Sequence, residues 1–217
     1  MNIEHTRFNM IAQQIRPWDV SNQKVLALLD KVKREEYVPS ALRSLAFVDM
    51  ETPIGHGEFM MAPKMEARIL QELDIQPNDL ILEIGTGSGY LTALLAALGQ
   101  HVTSVDIIPE FTTQARAKLL AHHIANVSLE TGDAALDWPS HNAYDVIVLT
   151  GSTPILPQSL LNLLSLQGRL FAVTGDAPAM TAQCITRVDS KNWVTRNLFE
   201  TVIKPLQHAA QPERFVF

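Results

Sequence analysis

Cysteine is almost missing from this sequence: Cys184 stands alone among 217 residues. That excludes a disulfide framework within the chain and any zinc site built on cysteine. Cys184 sits in an apolar stretch and reads as a small buried hydrophobe rather than a nucleophile. An excess of positive charge is missing too. Lys and Arg number 17 against 23 Asp and Glu, for a formal net charge of -6. A chain with that balance is not built to neutralise many phosphates, so nucleic acid is not expected as its main partner. No uninterrupted apolar run nears the roughly 20 residues of a membrane span. The opening "MNIEHTRFNM" lacks the charged-then-apolar pattern of a secretory signal. These absences lead to the expectation of a soluble cytoplasmic protein with no membrane partner, and they leave its oligomeric state open.

There is no internal repeat and no low-complexity tract. The length suits one α/β domain over residues 1–217 with a sizeable core. Within it, residues 1–62 read as a helical extension with a loop, and 63–217 as a sheet core. In "RFNMIAQQI", Phe8, Ile11, Ala12 and Ile15 recur at helical spacing. Ser21 reads as the N-cap of a helix that buries Val25, Leu28, Leu29 and Val32. "DKVKREE" reads as a mixed-charge, solvated helix face. "SALRSLAF" reads as a short helix, and "DMETPIGHGEFMMAP" as a loop.

Beyond that loop the pattern changes. "DLILEI", "HVTSVD", "NVSLETGD", "YDVIVLT" and "GRLFAVTG" are short apolar runs, as in strands buried on both faces. Between them "YLTALLAALG", "PEFTTQARAKLLAHHI" and "LPQSLLNLL" read as helices, the first closed by Gly99 and the second opened by Pro109. This alternation predicts a mostly parallel sheet with helices on both faces. "TAQCITRV" and "WVTRNLFETVI", separated by the turn-prone "DSKN", predict an antiparallel hairpin at the sheet edge.

"EIGTGSGY" follows the first of these strands and opens a helix, where a doubly wound sheet binds its ligand. Gly85, Gly87 and Gly89 allow unusual dihedrals and close approach of a ligand to the backbone. Asp106 ends the second strand, about 20 residues on, where an acid meets a ribose. A dinucleotide enzyme wants G-x-G-x-x-G, but the position of the third glycine holds Tyr90. Glu83, just before the loop, would repel a pyrophosphate. It suits a ligand with a sulfonium and an ammonium, so S-adenosyl-L-methionine is favoured and a nicotinamide dehydrogenase is the distant alternative. "ETGDA" brings Gly132, Asp133 and Ala134 to the same crevice, with a carboxylate and a backbone N–H for the adenine edge. Thr150, at the end of the fourth strand, points there by topology. Thr86, Ser88 and Ile107 complete the candidate cofactor set. Adjacent His122 and His123 on one helix do not face one site, and no metal centre is expected.

Together "EIGTGSGY", "SVD", "TGDA", "YDVIVLTGSTPILP" and "LLSLQGRLFAVTG", in this order, resemble the protein-L-isoaspartate O-methyltransferase family. "MIAQQIRPWDVSNQKVLALLDKVKREEYVP" is similar to its N-terminal helices, and "TPIGHGEFMMAPKMEA" to its substrate-side loop. The resemblance spans nearly the whole chain. It implies a Rossmann-like class I methyltransferase with a seven-stranded sheet. It implies methyl transfer to the α-carboxylate of isoaspartyl residues in damaged proteins, whose ester then closes to a succinimide. A carboxylate is already a nucleophile at neutral pH, so the resemblance implies catalysis by orientation and electrostatics rather than by a general base.

The acceptor half departs from the family. Two hydroxyls of a Thr-x-Ser pair fall on Phe59 and Met61, neither of which donates a hydrogen bond. Glu58 adds a negative charge, and the family's "VPLT" becomes "KPLQ", with Gln207 at the hydroxyl position. Three readings stay open. Isoaspartyl transfer persists with Lys64, His56 or backbone donors substituting; the acceptor is a less anionic group; or the chain binds the cofactor and acts as an interaction protein. The terminal "QPERFVF" is foreign to the family pattern and reads as an edge strand or association element.

Overall fold

The alternating runs fold as a layered α/β structure in the computed structural model, which describes residues 2–140 and 142–213. The "RFVF" tail lies outside the described residues. The chain opens with α1 (Ile3–Met10), a π-helical turn at Ile11–Ile15 and α2 (Gln23–Lys31). Ile11 and Ile15 are buried as expected, but Phe8 is 63% exposed, because the widened turn after Met10 shifts the apolar stripe. The cap of α2 is Asn22 rather than Ser21. The Asn22 side chain accepts the Lys24 and Val25 N–H groups, while the Ser21 and Asn22 N–H groups donate to Gln71.

"REE" is a single helical turn rather than a solvated face: Arg34 is 1% exposed and Glu35 4%. Arg34 donates to the Ala46 carbonyl (2.9 Å), the Met61 carbonyl (2.6 Å) and the Glu66 carboxylate. Arg7 pairs likewise with Glu35. "SALRSL" forms a short helical segment, as read. The expected loop after it contains a small antiparallel hairpin, β1 (Thr52–Gly55) and β2 (Glu58–Met60). Its turn carries positive φ at Gly55, His56 and Gly57. A further helix, α3 (Pro63–Leu73), occupies a stretch to which the sequence reading assigned no element. It starts at Pro63 and buries Met65, Ile69, Leu70 and Leu73.

The main sheet follows as β3 (Leu80–Ile84), α4 (Tyr90–Leu98), β4 (His101–Asp106), α5 (Pro109–Ala121), β5 (Val127–Thr131), β6 (Tyr144–Leu149), α6 (Gln158–Asn162), β7 (Leu164–Asp176), β8 (Ala179–Arg187) and β9 (Trp193–Thr201). Helix α5 stops at Ala121, short of the expected Ile124, because His123 takes a left-handed φ of 57°. The seven strands run in the order β5-β4-β3-β6-β7-β8-β9. Strands β3 to β7 run parallel to one another; β8 pairs antiparallel with β7, and β8 and β9 form the expected antiparallel edge hairpin.

Alternation along the strands divides the core. Ile81, Val102 and Val146 face one layer, with α2, α3 and α4; Leu82, Val105 and Ile147 face the other, with Leu160 of α6. Cys184 is buried, as read. Among the described residues no helix is long and apolar enough to cross a membrane. The chain leaves β3 for β4 and β5, then returns to β6 on β3's other side. The direction of winding reverses there, so a crevice opens at the strands' carboxyl ends.

Candidate active site

The loop after β3 is set by backbone geometry. Its first residue extends the ladder, with the Gly85 N–H on the Val105 carbonyl at 2.7 Å. Gly85 has φ of 100°, and a Cβ there would lie 2.0 Å from the Thr150 hydroxyl. That hydroxyl lies 2.9 and 2.8 Å from the Ile84 and Gly85 carbonyls, its acceptors. Gly87 has φ of 51°, and its N–H donates to Asp106 Oδ2 at 2.8 Å. The other Asp106 oxygen accepts the Ile108 N–H at 2.9 Å. Burial pushes the Asp106 carboxyl up, opposed by these two N–H groups.

These elements line an open crevice. Its floor is Gly85, Gly87, Asp106, Ile107 and Thr150, with Gly132, Asp133 and Ala134 at one end. Its acceptor-side wall is Ile54, Glu58, Phe59 and Met61, together with Lys204–Gln207. The latter segment is pinned beside β6: the Ser152 N–H donates to the Lys204 carbonyl (3.0 Å) and the Leu206 N–H to the Ser152 carbonyl (2.9 Å). A smaller cavity shares Phe59, Met61, Gly85, Gly87 and Thr150 with the crevice and adds Glu66, Glu83, Thr86 and Ser88.

Glu83 lies beneath the loop, 0% exposed, rather than on the main crevice wall. Its Oε2 accepts from Thr92 (2.5 Å) and Ser104 (2.6 Å); Ser104 in turn meets Thr86 at 2.7 Å. Its Oε1 has no hydrogen-bond partner among the described residues. Burial pushes its carboxyl up to about 8, although the two hydroxyls oppose the rise. Burial raises the Glu66 carboxyl too, against the pull of the Arg34 guanidinium bonded to it. An acid raised on folding stays protonated in the native state while the unfolded chain ionises. Glu83 therefore lowers stability as pH rises from its ordinary 4.5 to about 8. Glu83→Gln is expected to flatten that decline by on the order of 1–2 kcal/mol between pH 5 and pH 8. Urea unfolding at the two pH values reads this; an unchanged slope would show that Glu83 does not titrate there.

Other expected residues divide by position. Ser88 accepts the Tyr90 N–H at 3.2 Å and lines only the smaller cavity. Gly89 serves packing: its Cβ position is 2.9 Å from Ala115 on α5. Asp133 reaches the crevice, but one oxygen is 2.6 Å from His208 Nδ1 and the other accepts the Ala135 N–H. Burial raises its carboxyl less than these contacts lower it, so it sits below the usual range. His56 is not on the crevice wall; it packs edge-on against Phe111, with ring centroids 5.4 Å apart. Lys64 is also absent from it, bonded to Asp49 at 2.7 Å and lying over the Trp18 ring. Sequence reasoning missed Lys204 and His208. The departure "KPLQ" was the available signal for the former; nothing in the sequence marked the latter.

Two features bear on whether the crevice suits S-adenosylmethionine. Gly85 and Gly87 line the crevice with backbone at positive φ, and Glu83, whose Oε1 is without a partner among the described residues, lines the cavity beside it. Glycine backbone suits close approach, and a buried acid with one unpartnered oxygen suits a cation, beside which it ionises. The residues present fit the group. Fold and site together define a Rossmann-like class I methyltransferase.

A family model described as Protein-L-isoaspartate(D-aspartate) O-methyltransferase (PCMT) matches residues 5–210. The chain is 36% identical over 201 residues to Protein-L-isoaspartate O-methyltransferase 1 of Rhodopseudomonas palustris strain HaA2, covering 92% of this chain and 82% of that one. It is 36% identical over 205 residues to Protein-L-isoaspartate O-methyltransferase of Gloeobacter violaceus, covering 92% and 100%. A Plasmodium falciparum chain solved in complex with S-adenosyl-L-homocysteine superposes with TM-score 0.80 at 20% identity, covering 95% of this chain and 98% of that one. The chain belongs to the protein-L-isoaspartate O-methyltransferase family.

Proposed function

We propose that the chain is an S-adenosylmethionine-dependent protein carboxyl methyltransferase acting on the isoaspartyl carboxylate of damaged proteins or peptides. The observation that carries this is a family match over residues 5–210 in a chain whose crevice is lined by positive-φ glycines, above a buried Glu83 with one unpartnered oxygen. S-adenosylmethionine, when bound, supplies an electrophilic sulfonium methyl. Glu83 Oε1 receives its ammonium. Asp106, which keeps free lone pairs beyond its two N–H bonds, accepts from the ribose hydroxyls. The Ala134 N–H and Asp133 read the adenine edge. Phe59 and Met61 would line its reacting end with apolar surface.

The acceptor carboxylate needs no proton removed, so no side chain serves as general base. The chain contributes orientation and an apolar wall, and proximity of this kind supplies much of a barrier reduction. Residues 1–217 act as one unit in this reading, since Arg34 of the helical extension is bonded to Glu66 of α3. The cytoplasm is the compartment we propose, consistent with the unpaired, buried Cys184.

The test is transfer of radiolabelled methyl from S-adenosylmethionine to an isoaspartyl peptide, with its aspartyl twin as control. Base-labile label is expected on the isoaspartyl peptide alone. Label on both peptides, or on neither, overturns the reading.

A further inference from the structure

The acceptor of this reaction is an anion, and the crevice it must enter is acidic. Glu51, Glu58, Asp106 and Asp133 stand on its walls. Among the described residues, Lys204 is the only Lys or Arg there. Phe59 and Met61 offer no donor, and Lys64 and His56 are committed elsewhere. Lys204 Nζ donates to the Gly57 carbonyl at 2.8 Å and to Glu58 Oε1 at 2.7 Å. The same Glu58 oxygen accepts the Gln207 side-chain N–H at 2.9 Å. An ammonium and an amide thus already converge on one carboxylate oxygen at the crevice wall.

We propose that Lys204 and Gln207 form the binding site for the acceptor's carboxylate, and that Glu58 is an internal stand-in that yields its place when the acceptor arrives. The inference rests on the methyl-transfer reading above. The exchange keeps the ammonium paired throughout. One carboxylate replaces another on the ammonium, the displaced Glu58 is taken up by water, and an ammonium has a third hydrogen free to guide the swap. The Lys204 side chain is 42% exposed, so the exchange takes place where water can carry the displaced Glu58 outward. This device does the work of the missing hydroxyl pair with residues from a different segment. It also sets specificity: a neutral acceptor gains nothing by displacing Glu58.

The prediction is a pair of opposite signs in steady-state kinetics with an isoaspartyl peptide. Lys204→Met is expected to raise KM about tenfold or more with kcat nearly unchanged, and Lys204→Arg to recover much of the loss. Glu58→Gln, which removes the competitor, is expected to lower KM. Binding of S-adenosylhomocysteine should change less than twofold in either variant. If Lys204→Met and Glu58→Gln both raise KM, the pair is a structural clasp and the proposal is wrong. If neither moves KM while the wild-type chain methylates the peptide, the carboxylate binds elsewhere and the methyl-transfer reading stands alone. If the wild-type chain, saturated with S-adenosylmethionine, does not methylate the peptide, both fall together.

Discussion

Asp106→Ala is expected to weaken S-adenosylhomocysteine binding by about 100-fold, read by titration calorimetry. Asp106 is 7% exposed and does two jobs with one carboxylate. Facing the glycine loop, it holds the Gly87 N–H at 2.8 Å and the Ile108 N–H at 2.9 Å. Facing the crevice, it offers its remaining lone pairs, in the role we propose for it, to the ribose. Alanine removes the ligand's partners and leaves two backbone donors unsatisfied. A lost charge-assisted bond and an orphaned donor cost about 1–3 kcal/mol each. A total near 3 kcal/mol is roughly two orders of magnitude in affinity. Asp106→Asn separates the contributions. Its amide keeps one oxygen for the loop, so an intermediate loss of about tenfold is expected. A loss below fivefold for the alanine variant would place the ribose away from Asp106 and remove the central argument for its role.

How far the site was legible in the sequence depended on whether its cause was local. The strands at Leu80–Ile84 and Tyr144–Leu149 are buried on both faces, so their apolar runs mark them without knowledge of their neighbours. The glycines of the cofactor loop are legible for the same reason, since positive φ is a demand on the residue itself. The hairpin at β1 and β2 was read as a loop, because strands of four and three residues around a turn with two glycines carry no alternation to count. Long-range pairing left no trace at all. Glu58 and Lys204 are separated by 146 positions, and Arg34 and Glu66 by 32. A charge run such as "DKVKREE" looks solvated until its partners are known. Glu83 lies between these cases: its charge pointed to a cationic ligand, but its place beneath the loop comes from Thr92 and Ser104 on neighbouring elements.

Arg34→Met is expected to destabilise the fold by about 3–5 kcal/mol, the usual cost of removing one member of a buried ion pair. The guanidinium is 1% exposed and holds three separate elements: the Ala46 carbonyl, the Met61 carbonyl and Glu66 of α3. It also lies over the Tyr90 ring at 5.2 Å, at the start of the helix that follows the cofactor loop. Methionine fills similar space but leaves Glu66 and two carbonyls without their donor. For a chain of this length the loss corresponds to a fall in Tm of roughly 10 °C. Arg34→Met combined with Glu66→Leu should recover a large part of it, because replacing both charges removes the orphaned acid. Function should change as well as stability. The Met61 carbonyl anchors the segment that covers the crevice, so the single variant should raise KM for the isoaspartyl peptide even well below its Tm. Thermal and urea unfolding check the first expectation, and kinetics at 15 °C the second. A stability loss under 1 kcal/mol would mean that water replaces the guanidinium and that the extension docks without it. A full loss with KM unchanged would mean that Met61 keeps its place through packing alone, and that Arg34 serves the fold but not the site.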